Sequence, residues 1–138
     1  MYAVGKFIPV RFLALIAHFV ILVILLWSLD SSLKTCLPFG YTQDEYDQAN
    51  TELTVGLSVA IALFGFEMIS FLMGISMFVA SVAMISTFTH VCAAVTLSLF
   101  ILESWECQRY WYIFGFCSAL PALFEVFVLF LFLMGKRK

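Results

Sequence analysis

The sequence predicts an all-α membrane protein of four antiparallel transmembrane helices. Three observations carry this. Of the 138 residues, 64% are hydrophobic and only 12% charged, with a mean hydropathy of +1.07. Soluble domains are nearer half apolar and a quarter charged. The apolar residues gather into four runs, each near the roughly 20 residues that a helix needs to cross hydrocarbon. Polar or turn-forming segments separate them, and hydrocarbon offers no water to loose backbone groups, so each run must close its own hydrogen bonds as a helix. The expected spans are 10–29, 53–73, 82–102 and 111–134, together one domain over 1–138. Little chain remains for a separate soluble domain, and a formal charge of −2 gives no basis for a nucleic-acid partner.

Residues 1–9 read as a short basic leader, with Pro9 suited to the first turn of span one and Arg11 at its flank. That span looks like the apolar part of a signal peptide. It is long for one, however, and Trp27-Ser28-Leu29-Asp30 offers no small-x-small cleavage site, so it is expected to be retained. From Asp30 to Glu52 the composition turns to Ser, Thr, Gln, Pro and acid, with Asp44, Glu45, Asp47 and Glu52 set against Lys34. This stretch is expected to be a solvated acidic loop, either a docking surface or a plain connector. Asn50 precedes Thr51-Glu52, so it is no acceptor for N-linked sugar.

Span two carries Gly56 and Ala60 at small-xxx-small spacing, which permits close helix approach in lipid. Gly74 to Ser81 is expected to be a tight uncharged turn, and span three carries Ala93, Ala94 and Ser98. The segment from Glu103 to Arg109 combines residues too polar for hydrocarbon with Trp105, and Tyr110, Trp111 and Tyr112 follow. Such rings suit the headgroup level, which marks a membrane-surface turn before span four. Within that span Pro121 lacks a backbone donor and crowds the carbonyl of Cys117, so a kink is expected there.

With four spans both ends lie on one side, and that side collects Lys6, Arg11, Lys136, Arg137 and Lys138, against Lys34 and Arg109 opposite. The distribution of basic residues therefore predicts cytoplasmic termini. Cys36 and Cys107 then fall together in the oxidising compartment, where a structural disulfide between them is expected and free thiols are the alternative. No Cys-x-x-Cys pair is present for thiol exchange, and Cys92 and Cys117 read as small packing residues inside spans.

Each span holds an ionisable residue: His18, Glu67, His90 and Glu125. Counted from the terminal side, each lies about 12 Å deep at about 1.5 Å per residue, which predicts one polar layer facing the bundle interior. Two His and two Glu could serve a transition metal or a proton, or could form hydrogen bonds that fix helix order. No two of the four share a span, so the i, i+3 or i, i+4 ligand pairs of helical metal sites are missing. The structural reading is preferred. No phosphate-binding glycine loop and no nucleophile with a matching base stands in the sequence, and neither an enzymatic activity nor a cofactor is expected.

The stretch Trp105-Glu106-Cys107, then Tyr110-Trp111-Tyr112-Ile113-Phe114 and Phe116-Cys117-Ser118-Ala119-Leu120-Pro121-Ala122, resembles the transmembrane protein 107 family. Arg11-Phe12-Leu13 with Ala17-His18, Cys36-Leu37-Pro38 with Glu45-Tyr46-Asp47, and Gly74-Ile75-Ser76-Met77-Phe78 follow the same pattern in order. The resemblance covers essentially the whole chain. It implies a four-span structural or scaffold protein of the ciliary transition zone, within the Meckel syndrome module that helps control ciliary membrane composition. It also implies effects on ciliogenesis and Hedgehog signalling, other transition-zone membrane proteins and lipid as partners, and no small-molecule substrate. It brings no catalytic residues. The alternative is a small membrane enzyme or an ion- or proton-handling protein built on His18, Glu67, His90 and Glu125.

Overall fold

A computed structural model describes residues 2–74 and 79–136, and all the regular structure in them is helical. The helices are α1 (Tyr2–Trp27), α2 (Leu29–Cys36), α3 (Gln43–Leu72), α4 (Ala80–Leu102), α5 (Arg109–Phe114) and α6 (Leu120–Lys136). A π-helical turn, Gly115–Ala119, joins α5 to α6, so the three form one continuous fourth span. Four helical stretches are long and apolar enough to cross a membrane: Gly5–Trp27, Gln43–Leu72, Ala80–Leu102 and Arg109–Lys136.

Buried positions recur along these spans at alternating intervals of four and three. The stripe is Arg11, Leu15, His18, Leu22 and Leu25 on α1, and Leu53, Leu57, Ala60, Phe64, Glu67 and Phe71 on α3. On α4 it is Ser86, His90, Ala93, Leu97 and Phe100. A repeat averaging 3.5 residues keeps one seam turned towards neighbouring helices. The other faces expose large apolar residues such as Leu13, Phe88, Phe116 and Phe127, as a lipid-facing surface requires. Helix α1 packs chiefly on α4 and also on α3, while the fourth span packs on α3 and α4. Thus α1 and α6 face each other across one diagonal of the bundle, and α3 and α4 across the other.

The segment from Asp30 to Glu52, expected as a loop, is largely helical. Helix α2 forms because Asp30 and Lys34 pair at i, i+4, 2.8 Å apart, while Leu33 and Cys36 share a buried face. The Lys34 ammonium, and then the Tyr46 hydroxyl at 2.5 Å, hold the Asp30 carboxyl below its ordinary value. Helix α3 starts early because Thr42 and Glu45 form a capping box: the Thr42 hydroxyl accepts from the Glu45 N–H, and the Glu45 carboxylate accepts from the Thr42 N–H. Only residues 37–42 remain irregular. Likewise Pro9 lies inside α1 rather than at its start.

At the other end of α3, Gly74 adopts φ +75° and its N–H bonds to the Phe71 carbonyl, a left-handed helix stop suited to glycine. Of the expected turn, residues 75–78 lie outside the described residues, and Ser81 already belongs to α4. The expected surface turn occupies 103–108, where Trp105 donates to Glu103 at 2.9 Å and lies under the Arg109 guanidinium. A π turn directly precedes Leu120-Pro121, closed by the Leu120 N–H on the Gly115 carbonyl. Widening the helix there leaves room for the proline ring one turn on.

At Gly56 the fourth span packs tightly against α3. A β-carbon there would stand 2.7 Å from a Tyr110 ring carbon. The Tyr110 ring also meets Phe100 and Phe114 edge-on or tilted, yet its hydroxyl has no hydrogen-bond partner among the described residues. Gly56→Val should therefore destabilise the bundle by about 1–3 kcal/mol through overpacking, whereas Tyr110→Phe should be neutral or stabilising. Reversible unfolding in bicelles measures both, and equal costs for the two changes would contradict this packing.

Candidate functional site

Two kinds of bond join the spans beyond apolar packing, a covalent one at the α2 end and a polar one inside the bundle. Cys36 ends α2 and Cys107 lies in the 103–108 turn, and the two form a disulfide with Cα atoms 5.0 Å apart. It links the exit of α1 to the turn before the fourth span. Cys92 and Cys117 are free thiols within α4 and the π turn.

The polar interior begins with Arg11, which the sequence places at a basic flank. In the structure it is a bundle residue, 1% exposed. Its position on the α1 stripe, one heptad before His18, is the signal that could have revealed this. The Arg11 guanidinium forms an ion pair with Glu125 of α6, and its Nε–H donates to Ser86 Oγ of α4 at 3.2 Å. Ser70 of α3 donates to the second Glu125 oxygen at 2.9 Å. Phe71 covers the guanidinium, with its ring centroid 5.2 Å from Arg11 Cζ. One cluster thus takes a side chain from every span.

His18, His90 and Glu67 form a second group. His18 Nδ1 lies 2.8 Å from His90 Nδ1, and His90 Nε2 lies 2.6 Å from Glu67 Oε2, all three residues being at most 2% exposed. The chain of contacts crosses from α1 to α4 and then along the diagonal to α3.

All four residues of the expected layer are buried in the bundle, where they divide into two hydrogen-bonded tiers. His18, Glu67 and His90 come together, but Glu125 joins Arg11 instead. Arg11 and His18 are seven residues apart, about 10 Å along the helix axis. An acid in hydrocarbon takes the strongest available partner, and a guanidinium supplies charge and fixed donors together.

Neither tier has the geometry of a metal centre. Two zinc–nitrogen bonds of about 2.0–2.1 Å at a tetrahedral angle set the nitrogens about 3.3 Å apart, wider than the two Nδ1 atoms stand, and Glu67 occupies the far side of His90. Among the described residues no group of three or more His, Cys, Asp or Glu could hold a metal ion. What the arrangement can do is hold helices together and hold protons.

Comparison with known proteins places this architecture. Residues 7–129 match the TMEM107 transmembrane protein family. The chain belongs to that family. It is 47% identical over 138 residues to Transmembrane protein 107 of Homo sapiens, spanning 100% of this chain and 98% of the relative. The Danio rerio protein of the same name is 46% identical over 129 residues, 94% of this chain and 96% of the relative. The Xenopus laevis protein is 40% identical, with 100% and 99% covered. No solved structure matches the chain. As a member of the TMEM107 family the chain is a multi-pass membrane protein with four candidate spans.

The disulfide closes a sequence separation of 71 residues. In the chain-entropy estimate such a loop contributes about 4 kcal/mol. Cys36→Ser should lower stability by up to that amount in lipid, measured by steric trapping, and reduction of the unaltered protein should match it. No change on reduction would show that the cross-link constrains nothing.

Proposed function

We propose that this protein is a structural component of the ciliary transition zone membrane. It helps control which membrane proteins enter the cilium, and so influences ciliogenesis and Hedgehog signalling. The observation that carries this reading is membership of the TMEM107 family over essentially the full chain. The interior agrees with it, because the buried ionisable side chains bond to one another across helices. One groove of about 480 Å³ lies at the α2 end, lined by Thr35, Leu37, Pro38, Ser104 and Gln108, away from those groups.

On this reading the protein acts through its surfaces as a single four-span unit, with both termini in the cytosol on the positive-inside rule. The α2 end then faces the ciliary exterior. It presents Asp44, Glu45, Asp47 and Glu52 on the first turns of α3, with Phe39 fully exposed beside them. Other membrane proteins of the Meckel syndrome module are the partners, with surrounding lipid covering the outer faces. No catalytic residue or cofactor is assigned.

Expression of the tagged full chain in ciliated cells lacking the endogenous protein tests the proposal. It should concentrate at the cilium base and restore cilium number. Tags on both termini should react with cytosolic reporters. A folded, membrane-inserted protein that restores cilia only when Glu67 and His90 are intact would favour the ion- or proton-handling alternative. Uniform distribution over internal membranes with no rescue would overturn the proposal.

A further inference from the structure

The buried charges do not balance as ordinary ionisation at neutral pH would leave them. Among the described residues the interior holds one permanent cation, Arg11, against two carboxylates, Glu67 and Glu125. The cation and Glu125 are ion-paired. Glu67 is left facing His90, whose other nitrogen faces His18. With Glu67 ionised and both imidazoles neutral, the bundle would carry one uncompensated negative charge within hydrocarbon, which a low-dielectric interior strongly disfavours.

We infer that the Glu67–His90–His18 chain is a binding site for a single proton, held in addition to the one hydrogen that each neutral imidazole carries. The geometry accommodates this proton on either His90 or Glu67. If it lies on His90, the imidazolium donates from Nε2 to Glu67 Oε2 across 2.6 Å and from Nδ1 to His18 Nδ1 across 2.8 Å, and both acceptors are in place. If it lies on Glu67, the acid donates to His90 Nε2 and the neutral ring still donates from Nδ1 to His18. Moving it between these positions breaks no heavy-atom contact, and every nitrogen or oxygen in the two hydrogen bonds stays satisfied. The site thus ties α3 to α4 and α4 to α1 with no net charge. The charged groups buried around it are Arg11 from α1 and Glu125 from α6, which cancel, while Ser70 of α3 and Ser86 of α4 are neutral.

Solid-state NMR on the full chain in lipid bilayers at pH 7, with nitrogen-15 histidine and carbon-13 glutamate labels, counts this proton. The expected spectrum shows either one ring protonated on both nitrogens beside an ionised Glu67, or two neutral rings beside a protonated Glu67 carboxyl. In both cases the count is one. Two neutral rings beside an ionised Glu67 would overturn the inference. In Glu67→Gln the amide keeps the hydrogen bond to His90, and the count should fall to none. An imidazolium that persists in that variant would also overturn it. Should Glu67→Gln fail to insert, the spectrum of the unaltered chain decides the matter alone.

Discussion

The interaction on which the rest of the bundle depends is the ion pair between Arg11 of α1 and Glu125 of α6, formed across a diagonal inside the membrane span. Helices in lipid gain nothing from hydrophobic burial against one another, since acyl chains are as apolar as leucine. What selects one arrangement is close packing together with polar groups that hydrocarbon cannot satisfy. A guanidinium at this depth has no alternative to bundle partners, and Glu125, Ser86 and Phe71 supply them from three other spans. The first and last spans, which otherwise meet little, are thereby held together.

The remaining constraints follow in order of depth. Beyond the ion pair, Glu67 reaches across the second diagonal to His90, and His90 meets His18 along the α1–α4 contact. Apolar packing then takes over through Leu22, Leu25, Leu57, Leu97 and Phe100 to the Tyr110 ring on Gly56. At the far end the Cys36–Cys107 disulfide closes the bundle. Polar bonds, close packing and a covalent bond thus act at three successive levels.

Four spans and the surface turn at Trp105 were legible in the sequence because hydrocarbon thickness and the cost of buried charge impose strong, simple patterns. Helix α2 and the early start of α3 were less visible because polar composition suggests a loop, although the Asp30–Lys34 spacing and Thr42-Gln43-Asp44-Glu45 carry ordinary helix signals. The buried role of Arg11 was hidden by its place beside a terminus, where an arginine also serves as a topology signal. Its spacing from Leu15 and His18 carries the same information as the structure. The pairing of Glu125 with Arg11 rather than with a histidine was not legible. It depends on which helices stand opposite one another, and composition does not encode that.

The most direct measurement is a double-mutant cycle on Arg11 and Glu125, read as unfolding free energy of the full chain in bicelles. Arg11→Met and Glu125→Leu should each cost about 3–5 kcal/mol, because each leaves a buried charge without its partner. The double variant should be much less damaged than the sum, since no charge is then stranded. Additive costs for the two single changes would contradict the diagonal ion pair as the interaction that organises this bundle.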